Sequence, residues 1–343
     1  MAFTPLKGTG VEMGEIPLSA DDEITYEPTG YGCAAVASTE QARTGIYSMK
    51  LTGNEGPLSG EEEVRVNFNV PGTPAEVYIS AWCYQEYSAG YTKIEAVLST
   101  GETVGIWRHT STWDAYVDGA LVDSGSIAVS TGVWTHVQVR ISIADSGVIQ
   151  TKINGVDDID YSGDTQPGAT AEIIAIRFAQ QGGRGVNYTE PCHIDDFCWG
   201  TGGWPGAIRF NVLLLAGDDS VEWTPSSGDD NYAMVDERPP STGDYVSVSD
   251  DGMTDKYTIG NWSGTAKSAQ FVTAWAYGKK DKESSSIQLH LLVDSNSTEG
   301  VSDATDLPTT EAYCSYVATQ DPDTLAPWTG NAIDAIKIGI RSA

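Results

Sequence analysis

Residues 133 to 199 constrain the fold more than any other stretch of the chain. Val137, Val139, Ile141 and Ile143 alternate with His136, Gln138, Arg140 and Ser142. A second strand runs to Ile153, where Asn154-Gly155 turns the chain back. A third apolar run, Ile174 to Phe178, precedes Cys192-His193-Ile194-Asp195-Asp196-Phe197-Cys198-Trp199. Alternation with period two, closed by Asn-Gly, signals antiparallel sheet. Side chains alternate across a strand, and Asn-Gly accepts the positive φ angles that a tight hairpin requires.

The same grammar recurs on both sides of this block. Val64, Val66, Phe68 and Val70 alternate with Arg65, Asn67 and Asn69 up to Pro71-Gly72. Val77, Ile79, Ala81 and Cys83 oppose Tyr78, Ser80, Trp82 and Tyr84, so this strand carries apolar material on both faces and belongs at the centre of a covered sheet. Ile94 to Leu98, Gly105 to Trp107 and Trp113 to Val117 follow, with Asp118-Gly119 as a second hairpin turn. No stretch of helical period competes with these strands, and the pattern predicts a β-sandwich. Gly200-Thr201-Gly202-Gly203-Trp204-Pro205-Gly206 reads as a linker. Beyond it, Leu289, Leu291 and Val293 alternate, and Val272 to Tyr277 echoes Ile79 to Tyr84. The expected fold is therefore all-β, with two tandem antiparallel β-sandwiches. Residues 1–200 would form an arm plus the first sandwich, 201–206 the linker, and 207–343 a second, shorter one.

Charge narrows the partners. Lys and Arg number 19 against 48 Asp and Glu, a net charge of −29. A field of that sign repels phosphate backbones and anionic membrane surfaces, so neither nucleic acid nor membrane is an expected partner. The densest basic cluster, Lys279, Lys280 and Lys282, is interleaved with Asp281 and Glu283. Met1 to Gly8 lacks the basic segment and apolar core of a signal peptide, and the run Val212 to Ala216 is far short of the roughly 20 residues of a membrane-spanning helix. These features lead us to expect a chain made and kept in a cytosol-like compartment. Five cysteines cannot all pair with one another, which fits reduced thiols. Cys192 and Cys198, on one face of one regular strand, would sit about 20 Å apart and read as buried thiols.

Active-site spacings are missing. The Glu-x-Asp-x-Glu strand of jelly-roll glycan hydrolases does not occur, and Asp158 and Asp160 lie in an acid-rich hairpin that reads as a solvated edge. No Gly-x-Ser-x-Gly elbow is present, and His109, His136, His193 and His290 are scattered without metal-type spacing. The residues taken alone predict a non-enzyme. Trp107, Trp113 and Tyr116, with Tyr91 nearby, cluster around one hairpin as a candidate glycan or subunit contact. Trp113 and Tyr116 fall on opposite faces of a regular strand, so at least one of them is expected at the surface.

Two resemblances extend this reading. Arg43-Thr44-Gly45-Ile46-Tyr47-Ser48 through Leu51, then Gly132-Val133-Trp134-Thr135-His136-Val137, Ile153-Asn154-Gly155 and Ile194-Asp195-Asp196-Phe197 resemble, in that order, the laminin G-like, concanavalin A-like jelly rolls over residues 10 to 200. That resemblance implies a calcium ligand or a loop-fixing hydrogen bond at Asp195 and Asp196, calcium being the one cofactor suggested. Val221 to Val246, with Asp321 to Ile340, is similar to a module common among tailed-phage structural proteins, over residues 205 to 343. This second resemblance implies a non-enzymatic virion structural protein that decorates the capsid or tail, contacts other virion proteins and repeats as a homo-oligomer. A carbohydrate-binding adhesin or receptor-binding module of the tail, with a host glycan as partner, is the alternative, and a glycan hydrolase is a remote third.

Overall fold

The computed structural model describes the chain except for residues 1–2, 10, 20–21, 28–32, 56–60, 88–89, 167–170, 183–189, 263–267, 284 and 286–287. It divides into two compact units, Met1–Ile16 with Asp21–Phe210, and Pro17–Ala20 with Asn211–Ala343. Both are built almost entirely from antiparallel strands, as the alternation predicts.

The strands of the first unit are β1 (Thr4–Thr9), β2 (Glu23–Glu27), β3 (Ala34–Ser38), β4 (Ser48–Glu55), β5 (Glu61–Asn69), β6 (Glu76–Gln85), β7 (Tyr91–Leu98), β8 (Thr103–His109), β9 (Thr112–Val117), β10 (Ala120–Ser124), β11 (Thr135–Ser142), β12 (Gly147–Ile153), β13 (Val156–Gly163), β14 (Ile173–Gln181) and β15 (Glu190–Thr201). They form two layers. The first runs β3-β4-β15-β6-β11-β12-β13, with β1 added along the later half of β15. The second runs β10-β9-β8-β7-β14-β5-β2. A short pairing of Asn54 and Glu55 with Glu62 and Glu61 stitches the layers at one edge.

The inward registers are those read from the sequence. Val77, Ile79, Ala81, Val137, Val139 and Ile141 from the first layer, and Val64, Val66, Phe68, Ile94, Ala96 and Ile106 from the second, are all fully buried. Aromatic rings seal the interlayer space. Phe68 lies 5.3 Å from Phe197 and 5.4 Å from Trp199, and Phe178 lies 4.9 Å from Phe197. Phe197 and Trp199 reach this core because β15 carries a bulge between Asp195 and Cys198, with Asp196 at φ 46°. The extra residue reverses the phase of the strand. Cys192 and Cys198 are consequently both buried and both free, but on opposite faces rather than on the shared face of a regular strand.

The Gly-rich stretch read as a linker is hydrogen-bonded to the first unit. Gly200 and Thr201 complete β15, the Gly206 N–H donates to Gln138 Oε1 at 2.7 Å, and Ser80 Oγ donates to the Gly206 carbonyl at 3.0 Å.

In the second unit, β16 (Leu215–Ser220), β17 (Thr224–Pro225), β18 (Val246–Ser247), β19 (Thr254–Ile259), β20 (Ser268–Ala269), β21 (Val272–Gly278), β22 (Leu289–Ser295), β23 (Thr298–Val301), β24 (Ala312–Ala318), β25 (Trp328–Thr329) and β26 (Lys337–Ser342) appear in order. The main sheet runs β16-β19-β26-β22-β23 and faces the β21-β24 ribbon across a core of Ala274, Leu289, Leu291, Val293, Cys314, Trp328 and Ile333. This is the shorter sandwich. Among the described residues, helix is limited to the 3-10 turn Tyr232–Met234 and the single α-helix α1 (Gly330–Ala335), and no helix is long and apolar enough to cross a membrane.

Candidate functional site

The residues read as a glycan contact separate cleanly by face. Trp113 is 1% exposed and points between the layers, so it belongs to the core and is not a contact. Trp107 of β8 and Tyr116 of β9 lie on the outer face of the second layer, stacked with ring centroids 4.0 Å apart at 15°. Gly105 makes this possible. It sits on the same face between Glu95 and Tyr116, and a Cβ there would lie 2.2 Å from the Ile94 carbonyl oxygen. With no side chain at 105, the two rings lean together over the gap.

Around that stack the register assembles a charged row that sequence reasoning missed. Pairing places Lys93 of β7 opposite Trp107 and Ala179, Ala179 opposite Arg65, Glu95 opposite Arg177, and Arg177 opposite Asn67. Lys93 Nζ stands 4.0 Å over the Trp107 ring and 2.8 Å from Glu63 Oε1. Arg65 holds the other oxygen of Glu63 at 2.6 Å. Glu95 Oε1 accepts from Trp107 Nε1 at 2.7 Å and from Thr103 Oγ1 at 3.1 Å, and Arg177 lies 3.7 Å from Glu95 Oε2 while donating to Asn67 Oδ1 at 2.8 Å. Beside the stack, Tyr91 and His109 pair face to face at 4.5 Å and 12°.

Lys93, Glu63 and Glu95 are recessed, whereas Trp107, Tyr116, Tyr91, Arg65 and Arg177 are half-buried and His109 is exposed. The result is an aromatic platform beside cations that are already desolvated and held in place. Burial raises the Glu63 carboxyl, but the charges of Lys93 and Arg65 outweigh it and keep the group ionised below its ordinary range. Burial, and then the charge of Asp114, raises the Tyr116 phenol and keeps it protonated. The signal available in the sequence was charged and polar side chains on outward registers of central strands: Arg65 and Asn67 on β5, Lys93 and Glu95 on β7, Arg177 on β14.

Asp195 and Asp196 lie in the first layer, both fully buried, and they fix the Arg43-Thr44-Gly45 turn. Asp195 accepts from the N–H groups of Arg43 at 2.8 Å, Thr44 at 3.2 Å and Asp196 at 2.7 Å. Asp196 holds Arg43 Nη1 at 2.7 Å, Thr44 Oγ1 at 2.9 Å and the Phe210 N–H at 2.7 Å. Glu12 completes the lock by accepting from the N–H groups of Ile46 at 3.0 Å and Tyr47 at 3.3 Å. Gly45, at φ 64°, is obligatory, since a Cβ would lie 2.1 Å from Glu12 Oε1. All four oxygens of the aspartate pair already face N–H, O–H or guanidinium donors. That donor set suits a loop lock and does not fit a calcium cage. Burial, and then the neighbouring charge of Asp196, pushes Asp195 up to about 7 against the pull of its three N–H donors.

Next to the lock, Trp82 is sandwiched. The Arg43 guanidinium lies 3.5 Å from its ring centroid, and the His136 ring stacks on it at 4.9 Å. Burial, followed by the Arg43 charge, lowers His136 to about 4 from an ordinary value of 6.5, so the folded protein keeps the ring neutral. Between these values the unfolded chain takes up a proton that the folded chain refuses. The stabilisation is complete above pH 6.5 and is lost as pH falls towards 4. Urea midpoints of the parent and of His136→Gln are expected to converge over that interval, and parallel curves would refute the assignment.

No protein-family model matches the chain, and no curated protein does. Solved structures align with its sandwich. Endo-β-1,4-glucuronan lyase from the fungus Trichoderma reesei superposes with a TM-score of 0.46 and 13% identity over 58% of this chain and 96% of its own. Cellulose-induced protein Cip1 gives 0.43 and 17% over 56% and 96%, and a carbohydrate esterase from the Shiga toxin-encoding bacteriophage phi24B gives 0.37 and 13% over 58% and 98%. At these identities the likeness is one of fold, the β-sandwich jelly roll. Alginate lyases and a β-glucanase catalytic domain are also among the neighbours. The expectation of a non-enzymatic decoration protein took the missing glycosidase strand as a sign of inertness. Against it stands the finding that the solved structures this chain resembles in fold are mostly glycan-acting enzymes: lyases, an esterase and a β-glucanase.

Proposed function

We propose that the first unit processes a carboxylate-bearing polysaccharide laid across the outer face of its second layer. The observation that carries this reading is the stacked Trp107–Tyr116 pair with Lys93 4.0 Å over the indole, flanked by Arg65 and Arg177. Flat aromatic faces suit sugar rings, and fixed guanidinium groups suit uronate carboxylates, which they can hold through two hydrogen bonds. The acidic remainder of the surface is screened beyond about 10 Å at 0.1 M salt, so these local cations govern contact.

The same charges favour one reaction class. Hydrolysis by paired carboxylates needs one of them protonated, and Glu63 is held ionised between two cations. Removal of the proton next to a uronate carboxylate needs cations on that carboxylate and proton-handling groups alongside. Arg177 and Arg65 supply the first, with His109, Tyr91 and Tyr116 placed for the second. The tailed-phage origin suggested by residues 221–246 and 321–340 is part of the proposal. On it, the chain is a homo-oligomeric particle component, bound to other virion proteins and directed at host glycan.

Affinity electrophoresis of the whole chain in alginate, glucuronan and a neutral glucan tests this. Retardation by the acidic polymers only is expected, with unsaturated uronate ends appearing in the ultraviolet. Trp107→Ala should weaken retention about tenfold, the combined size of a stacking and a cation–π contact. Retention without product would instead favour an adhesin, and equal retention by the neutral glucan would refute the uronate assignment.

A further inference from the structure

Three side chains distant in sequence meet on the outer face of the first layer. Glu40 follows β3, Glu86 follows β6, and His193 lies in β15 opposite Tyr84 and Lys50. One donor atom from each lies within 4.8 Å of the other two. The His193 side chain is 0% exposed, Glu86 27% and Glu40 59%, so the cluster has a buried wall and an open side.

Proton counting decides what the cluster lacks. Ser48 Oγ donates its only proton to the Gln41 carbonyl. Towards His193 Nδ1, 3.1 Å away, the hydroxyl can therefore only accept. Nδ1 carries the ring proton, and Nε2 presents a lone pair. That nitrogen is buried without a hydrogen-bond partner and faces Glu86 Oε1 at 3.4 Å. Two lone pairs opposed in a desolvated wall repel, and a cation between them turns the repulsion into two bonds. The distance fits, because ligands about 2.0–2.1 Å from a tetrahedral metal lie roughly 3.3 Å from each other. Lys50 takes Glu40 Oε2 at 2.5 Å, so Oε1 is the oxygen available to an ion.

We propose that Glu40, Glu86 and His193 bind a divalent first-row transition ion, with water completing its coordination on the open side. One imidazole and two carboxylates form a borderline donor set of the kind zinc accepts. Ser48 orients the imidazole from behind, the usual role of a hydrogen-bond acceptor on the distal ring nitrogen. The ion ties the loop after β3 and the end of β6 to the closing strand. The site is on the opposite layer from the Trp107 platform and does not depend on the glycan reading.

Calorimetric titration of the chelator-treated full chain with zinc chloride tests the site, in a Cys33→Ser background that removes the one thiol not buried. One equivalent is expected to bind, with a matching rise in Tm. His193→Asn and Glu86→Gln should each abolish binding, and Ser48→Ala should weaken it about tenfold to a hundredfold. Glu86 is at the surface, so Glu86→Gln should keep the parent circular dichroism and remain informative if His193→Asn does not fold. The proposal is overturned if the parent binds no stoichiometric zinc, or if binding survives in either ligand variant. It is equally overturned if His193 proves to be an imidazolium paired with Glu86 that zinc does not displace.

Discussion

Trp113→Ala is expected to lower the stability of the first unit by about 3–5 kcal/mol, the cost of emptying a large aromatic site in a packed core. The side chain is 1% exposed, at the start of the inward register of β9 that continues through the fully buried Ala115 to Val117. The cavity would open where two layers of strands meet, and backbone held in ladder hydrogen bonds relaxes into it only in part. Trp107, six residues earlier and also beside a hairpin, should behave in the opposite way. Trp107→Ala removes a half-buried ring, leaves the urea midpoint close to that of the parent, and acts on glycan retention. Measuring both midpoints and both retentions separates fold from function in one experiment. Lost retention with unchanged stability in Trp113→Ala would show that the two faces have been assigned the wrong way round.

The second large effect is expected at the lock. Asp196→Ala removes the partner of Arg43, the acceptor for the Phe210 N–H and the acceptor for Thr44 Oγ1, and it leaves alanine at φ 46°. Breaking a buried ion pair from one side costs about 3–5 kcal/mol, because the remaining charge stays desolvated. The left-handed backbone adds about 1 kcal/mol for a residue with an ordinary Cβ. Arg43 is 24% exposed, which gives the orphaned guanidinium some access to water and places the total near the lower end of that range. Asp196→Asn tolerates the backbone and keeps one acceptor oxygen, so it should cost less. In a double-mutant cycle, Arg43→Ala should recover part of the loss caused by Asp196→Ala. Strict additivity would mean that the ion pair contributes nothing.

Much of the architecture was legible because it is local. The β12-β13 hairpin pairs Ile153 with Val156 across the Asn154-Gly155 turn, as alternation and turn chemistry dictate. The apolar-on-both-faces strand at 77–83 is central, between β15 and β11. The Arg43-Thr44-Gly45 and Asp195-Asp196 motifs, which carried the jelly-roll resemblance, are two halves of a single hydrogen-bonded lock. What stayed hidden depends on strand order and on one-residue slips. Lys93 reaches Glu63 only because β14 is inserted between β5 and β7, and a single sequence does not encode that neighbour relation. His193 looked isolated for the same reason, since strand order alone brings Glu40 and Glu86 to it. The bulge at Asp195–Cys198 was invisible to a period-two reading, and it decides that Phe197 and Trp199, rather than Cys198, face the core.

The division of the chain has a consequence for the order in which it folds. Pro17–Ala20 belongs to the second unit, where Ser19 bridges to Tyr313 and the Leu18 carbonyl accepts from the Tyr313 N–H at 3.1 Å. The central strand of that unit's sheet, β26, is synthesised after every other strand beside it. The first unit has all its strands once the ribosome passes Phe210, whereas Leu18 and Ser19 must wait through more than a hundred further residues for their partner. During that interval Leu18 and Ser19 await the strand they meet in the folded protein, and other exposed strand edges compete for them. Fragments truncated near residue 210 retain that segment permanently. Their tendency to associate, compared with the full chain, would report on a junction that only late synthesis can close.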